Sequence, residues 1–217
     1  MYCAALDLSG NEAVFALQRA GAGDIVCEGF KPMRGRTASG LVPWILGLLQ
    51  EHGVTLEQIT HWTVGSGPGS FTGMRLAAAF VAGLTAENTE IKSRCVPTAV
   101  ALAYGLEYND GDRIATLFDG RNQEILVYPL VFSGGELKPY GEPAVLDREQ
   151  APDYFEKNHF EHFTVHRSEQ DAIARIIHLP LTVRDGLKPA GLLNAHYAHW
   201  NNDLTALVYI RPAVHTN

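Results

Sequence analysis

Thr63-Val64-Gly65-Ser66-Gly67-Pro68-Gly69-Ser70-Phe71-Thr72-Gly73-Met74-Arg75 is the stretch on which the fold turns. The residues leading into it, His61-Trp62-Thr63-Val64, read as a strand, and the run from about Met74 to Ala86 reads as a helix. A glycine-rich turn between strand and helix lets backbone N–H groups converge, and the positive end of a helix favours an anion. The loop is not a P-loop, because no Gly-Lys-Ser/Thr follows. Nor is it a dinucleotide fingerprint, because Ser70 stands where the third glycine belongs. A second reading gives the glycines only a sharp turn and close strand–helix contact, with Ser70 or Thr72 capping the helix.

Upstream, the apolar runs Tyr2 to Leu8 and Ala13 to Leu17 flank the turn formers Ser9, Gly10 and Asn11, which makes a hairpin. A third strand runs from Asp24 to Phe30. A first helix starts near Thr37 to Ser39, with Leu41, Trp44, Ile45, Leu48 and Leu49 as its apolar stripe, and Gly53 ends it. Downstream come a strand near Lys92 to Val96 and a helix from Pro97 to about Tyr104. The polar stretch Glu107 to Asp112 marks a boundary. Beyond it the opening pattern partly recurs: Ile114 to Phe118 and Glu124 to Phe132 read as strands around Asp119-Gly120, as the first pair does around Asp7 to Gly10. The region Ser133 to Pro180 is weakly periodic, and a last helix spans about Pro189 to Trp200.

The 217 residues carry 17 Lys+Arg against 24 Asp+Glu, a formal charge of −7. That balance argues against unaided binding of a phosphate backbone. Cys3, Cys27 and Cys95 form no C-x-x-C pair, as suits a reducing compartment. The start has no basic n-region and the longest uncharged apolar run, Leu76 to Leu84, is nine residues, so a cytoplasmic location is expected.

The loop closely resembles the signature of the TsaB (YeaZ) family. Ala5-Leu6-Asp7-Leu8-Ser9, Phe118-Asp119-Gly120-Arg121 and Tyr209-Ile210-Arg211 are similar to that family as well. The resemblance implies an α/β protein with the actin/Hsp70-like (ribonuclease H-like) duplicated fold, its mixed sheets flanked by helices. Residues 1–107 would form an N-terminal half holding the glycine-rich loop and interface helices. Residues 108–217 would form a more divergent half whose last helix packs back between the two. It further implies a relative of the catalytic subunit TsaD that lacks its active site. Such a protein binds a TsaD-like subunit in the assembly that adds threonylcarbamoyl to an adenosine beside the tRNA anticodon. A TsaE-like ATPase would be reached through the complex, and a homodimer is an alternative pairing; no cofactor, catalytic residue or direct tRNA binding is implied. Three departures mark the chain as divergent. Arg36-Thr37-Ala38-Ser39 stands where the family usually has a His-Ser pair. In the middle motif, Gly120 replaces an Ala and Leu126 stands near a usual Tyr. Phe163 to Ser168 lacks the later glycine-containing strand end.

Asp7, with Ser9 and Gly10, can be read as a phosphate or metal cradle or as a turn former. Cationic support is thin, since Arg19 is the sole Lys or Arg in the first 30 residues. His162 and His166 have chelating spacing on a helix but not on a strand, and the residues between them are β-formers. His196 and His199 lack a third ligand, and there is no H-E-x-x-H or G-x-S-x-G. The second helix is apolar on two faces, Met74, Ala77, Ala78, Val81 and Thr85 on one and Leu76, Ala79, Phe80 and Gly83 on the other. One face would meet the sheet, and the other a partner or the rest of the chain. Val42, Leu46, Met74, Ala77, Ala78, Phe80 and Val81 are the expected partner-facing residues. Gly65, Gly67, Pro68, Gly69, Ser70, Phe71, Thr72, Gly73 and Arg75 form the structural loop motif. The competing reading is an actin-like ATP-binding enzyme or a metallopeptidase-like hydrolase.

Overall fold

A computed structural model of the chain describes residues 1–33 and 39–209, with the main chain alone at Glu87. Arg36, Thr37, Ala38, Ile210 and Arg211, all named above, lie outside the described residues. The chain divides into two compact units. The first is Met1–Thr98 with Pro189–Leu207, and the second is Ala99–Lys188 joined by Val208 and Tyr209. This division falls earlier than the polar stretch at Glu107 to Asp112, and the segment from Pro189 goes with the first unit.

In the first unit, β1 (Tyr2–Asp7), β2 (Glu12–Arg19) and β3 (Ile25–Pro32) form an antiparallel meander. Strands β4 (Ile59–Gly65) and β5 (Lys92–Val96) then extend it, each parallel to its neighbour, in the order β3-β2-β1-β4-β5. Helix α1 (Leu41–Glu51) is the crossover between β3 and β4, and α2 (Phe71–Glu87) the crossover between β4 and β5. The helical stripe acts as its spacing predicts. Leu41, Ile45 and Leu49 are buried with Phe15, Trp62, Ala77 and Val81 in one core cluster, and Trp44 and Leu48 pack on it. Each fully buried aliphatic side chain contributes about 1.5–3 kcal/mol relative to exposure. Gly53, at φ +65°, closes α1 by taking a left-handed turn that a side chain disfavours.

The second unit repeats the plan. Helix α3 (Thr98–Ala103) leads out of the first unit. Strands β6 (Arg113–Asp119), β7 (Ile125–Ser133) and β8 (Glu136–Pro139) form an antiparallel meander, and β9 (Ala144–Leu146) also pairs with β7. Strands β10 (His162–His166) and β11 (Thr182–Arg184) run parallel to β6, giving the order β8-β7-β6-β10-β11. The two sheets therefore share one topology, a three-stranded meander followed by two parallel strands. Helices α4 (Ala151–Asn158) and α5 (Gln170–Ala174) cover the second core, where Phe155, Phe163, Val165 and Ile173 are buried with Phe160 packed beside them. These elements occupy the stretch whose sequence is weakly periodic. The final helix, α6 (Ala190–Leu193), is four residues long, much shorter than the Pro189 to Trp200 expected.

Packing of α1 on the sheet depends on Gly29 in β3. A Cβ there would come within 2.5 Å of Leu48 Cδ1 and 2.9 Å of Trp44 Cζ2. Replacement by Val should therefore destabilise the fold by roughly 1–3 kcal/mol in urea titrations, through overpacking. Gly47 lies inside α1, and a methyl group added there would have nothing within 4 Å. Gly47→Ala should stabilise by about 0.5–1 kcal/mol in the same assay.

Candidate functional site

Asp7 ends β1 fully buried. Its Oδ1 accepts from the Ser9 N–H at 2.7 Å and from Ser9 Oγ at 2.6 Å, while Oδ2 accepts from Thr98 Oγ1 at 2.5 Å. Burial pushes the Asp7 carboxyl above its ordinary range, and the hydrogen bonds from Ser9 and Thr98 oppose that shift. The carboxylate is thus engaged on both oxygens, joining the hairpin turn to the start of α3. Ser9 is itself buried, and its hydroxyl lies 2.9 Å from Thr98 Oγ1. The Asp7–Ser9 turn, open to reading as a cradle or as a turn former, is closed by these contacts. Gly10 is exposed on the turn.

The glycine-rich loop is what closes it. After β4, Ser66 N–H donates to Val96 O at 2.9 Å, Gly67 N–H to Thr98 Oγ1 at 3.0 Å, and Ser70 N–H to Ser9 O at 2.6 Å. Ser70 caps α2, its hydroxyl accepting from Gly73 N–H at 3.2 Å, so Ser70 rather than Thr72 is the cap. Most of the donors that an anion cradle would need are therefore spent inside the protein. The glycines are demanded by contact. A Cβ at Gly65 would overlap the Asp7 carboxylate, and one at Gly73 would overlap the Leu8 carbonyl. Gly67 and Gly69 both have positive φ, and the Gly67–Pro68 bond is cis. The Arg75 guanidinium stacks 3.8 Å from the centre of the Phe71 ring. Of the two readings of this loop, the close-packing one describes its geometry.

The corresponding turn of the second unit is Asp119 to Glu124. Arg121, Asn122 and Gln123 follow one another with φ of 60°, 51° and 63°, and Asp119 Oδ1 accepts from Arg121 N–H at 2.8 Å. A Cβ at Gly120 would meet Glu124 O at 2.8 Å, so the glycine that departs from the family pattern suits this tight turn. Glu169 receives the Asp119 N–H at 3.2 Å. Burial lifts the Glu169 carboxyl to about 7, with the Asp119 charge adding to the effect and the Asp119 N–H opposing it. Sequence reasoning missed Glu169, because its partner lies 50 residues away.

The two-faced helix α2 resolves in one direction. Met74, Ala77, Ala78 and Val81 are buried within this chain, and Phe80 packs edge-on against Trp62 at 5.6 Å. The expectation that Met74, Ala77, Ala78 and Val81 face a partner is corrected, since all four are buried within this chain, while Phe80 is half-buried. Exposed on α2 are Thr72, Arg75, Ala79, Ala82, Gly83 and Ala86, a face that is small-profiled from Ala79 onward and carries the Arg75 cation at its start. On α1, Val42 and Leu46 are 42% and 45% exposed. A groove lined by Leu46, Leu49, Val54 and Leu56 continues that apolar surface.

His162 and His166 lie on strand β10, which keeps them about 13 Å apart at 3.3 Å per residue, too far for one ion. His162 instead bonds Asp112 at 2.9 Å and holds that carboxyl below its usual range. His196 and His199 lie beyond the end of α6. Among the described residues no group of three His, Cys, Asp or Glu is placed to hold a metal, and no helix is long and apolar enough to cross a membrane. The three cysteines are free thiols, and Cys95 is pushed to about 12 by burial and then by Asp203.

Two sheets of one topology, each with an acidic residue at its first strand end, define an α/β protein of duplicated ribonuclease H-like plan. The TsaD family, described as tRNA N6-adenosine threonylcarbamoyltransferase, matches residues 36–177, and the chain belongs to that family. The structure is similar to that of a Pseudomonas aeruginosa protein described as uncharacterized with similarity to peptidase YEAZ. The identity is 22% and the TM-score 0.73, over 97% of this chain and 99% of that one. YeaZ from Pseudomonas aeruginosa is 24% identical with a TM-score of 0.68, over 88% of each chain. No curated protein matches the chain in sequence. The resemblance read from the loop thus holds in family and in fold.

Two measurements test this geometry. Asp7→Asn replaces an acceptor oxygen with a donor among three donors, and should lower stability by about 1–3 kcal/mol in thermal unfolding with no metal added. For Glu169 the folded state favours the neutral acid. Its contribution is complete below the ordinary value of 4.5 and is lost as pH rises through about 7. Glu169→Gln should therefore flatten the loss of stability across that window, and be more stable than the parent by roughly 1–3 kcal/mol at pH 8.

Proposed function

We propose that this chain is a non-catalytic partner or activator subunit of the TsaB (YeaZ) kind, which binds a TsaD-like protein in tRNA threonylcarbamoyladenosine modification. Membership of the TsaD family and the YeaZ fold support a role in that machinery. The observation that carries the non-catalytic part is Asp7. In a family whose name is that of a transferase, the carboxylate at the first strand end is fully buried and spent on Ser9 and Thr98. A carboxylate so engaged is a poor ligand for a nucleotide-bound cation, because each bond to the ion must replace an internal one.

The partner surface is read from α1 and α2. Val42 and Leu46 offer exposed aliphatic groups, and Ala79, Ala82, Gly83 and Ala86 offer a low ridge beside which a second helix can lie. The same surface would serve a homodimer, in competition with the TsaD-like subunit. A TsaE-like ATPase joins through the complex, and the charge of −7 leaves tRNA contact to the partners. Localisation follows the tRNA, in the cytoplasm.

Co-purification with a TsaD-like protein is the direct test, with the affinity measured by calorimetry. Leu46→Glu and Ala79→Glu should each weaken the complex at least tenfold while leaving the melting temperature near that of the parent. Folded variants of full affinity would remove the proposed surface. Tight saturable binding of Mg-ATP, or turnover of it, by the isolated chain would overturn the non-catalytic assignment.

A further inference from the structure

Arg94 lies in β5, the edge strand of the first sheet, and is 3% exposed. Its Nε donates to Thr63 Oγ1 at 3.1 Å. The terminal nitrogens donate to four backbone carbonyls of the chain's last segment: Leu192 at 3.2 Å, Leu193 at 2.8 Å, Ala195 at 2.7 Å and Ala198 at 2.9 Å. Trp200 covers the guanidinium at 4.1 Å and meets the His61 ring at 4.8 Å. A second fastening follows at once. Ser93 N–H donates to Asn202 Oδ1 at 2.7 Å, and Asn202 N–H donates back to Ser93 O at 3.0 Å. Asn202 has φ 57°, a left-handed conformation that asparagine tolerates, and its amide stands in for a missing neighbour strand on the open edge of β5.

The segment has two parts of different character. Its root is buried: Gly191, Leu192, Leu193 and Ala195 pack inside the first unit, α6 against β1 and β4. From His196 onward the chain makes a turn and then runs on without helix or strand. His196, His199, Trp200, Asn201, Asn202, Asp203, Thr205 and Ala206 are all exposed, Tyr197, Ala198 and Leu207 are half-buried, and Leu204 packs on the core. The stretch is also shaped in advance, since Asp203 Oδ1 accepts both Thr205 N–H at 2.8 Å and Thr205 Oγ1 at 2.6 Å. A strap with little buried apolar area and a few concentrated polar fastenings opens at lower cost than the sheet it crosses.

We propose that residues 196–207 form a latch that opens and closes as a unit on a folded first unit, with Arg94–Trp200 and Ser93–Asn202 as its two clasps. Opening leaves the Ser93 N–H and carbonyl on the edge of β5 without their Asn202 partners, so the latch governs when that strand edge is open to pairing. Arg94 is a positioning residue here, since it serves both the root and the latch.

Native-state proteolysis of the full chain by thermolysin, with cleavage at Leu204 and Leu207 followed by mass spectrometry, tests the proposal. Cleavage there should precede any cut in the sheet strands. Trp200→Ala and Asn202→Gly, which touch only the latch, should each accelerate it about tenfold with the melting temperature little changed. Glycine at 202 keeps the left-handed backbone and removes only the amide. Arg94→Met should accelerate the cut further and also lower the melting temperature, through the root. The proposal fails if Leu204 and Leu207 are cut no faster than the strands of the first unit. It fails equally if both latch variants are cut at the parental rate. Should Arg94→Met not fold, the two latch variants decide the matter alone.

Discussion

A carboxylate taken out of water must find its hydrogen bonds inside the protein, and Asp7 finds its own at Ser9 and Thr98. That requirement ties together the first hairpin, the glycine-rich loop and the entry to α3. Gly65 lets the main chain lie against this group, and Gly69 and Gly73 let it lie against the carbonyls of Ser9 and Leu8 beside it. The loop then spends its own N–H groups on Val96, Thr98 and Ser9. Asp7, Ser9 and Thr98 thus form a structural knot, on which the proposed partner role rests.

The sheet takes Met74, Ala77, Val81 and the edge of Phe80 from α2, and Leu41, Ile45 and Leu49 from α1. Outward on α2 are Ala79, Ala82, Gly83 and Ala86 beyond Thr72 and Arg75, and on α1 Val42 and Leu46 beside Pro43, Gln50 and Glu51. A helix whose outer face is slim beyond its first turn lets another backbone approach closely, which is the geometry that the proposed partner role calls on.

Much of this is legible in the residues, for physical reasons that also explain the omissions. Strands and helices of the first unit announce themselves through strong periodicity and glycine punctuation, and Leu41 to Leu49 is a clear stripe. Which face of α2 is buried is not legible, because alanine-rich helices are apolar all round and the choice is made by the sheet beneath. Met74, Ala77, Ala78 and Val81 are accordingly expected outward and found inward, with Phe80 half-buried. The second unit between Ser133 and Pro180 is opaque. Its core is built from scattered aromatics such as Phe155, Phe160 and Phe163, which meet only after folding. The last helix falls short of the expected Trp200, since Arg94 rather than helical hydrogen bonding organises the carbonyls past Leu193. In the site, the Asp7 motif is visible and its occupation by Thr98 is not, being a contact across 91 residues.

All three tryptophans, Trp44, Trp62 and Trp200, belong to the first unit. Their surroundings are graded: Trp62 is wholly enclosed among apolar rings, Trp44 is half-buried between α1 and the sheet, and Trp200 is 37% exposed against a cation. Ultraviolet emission excited at the red edge is consequently a private signal of one half of the molecule. The phenylalanine- and tyrosine-lined half is dark at those wavelengths, so a melting curve excited there follows the surroundings of first-unit residues alone.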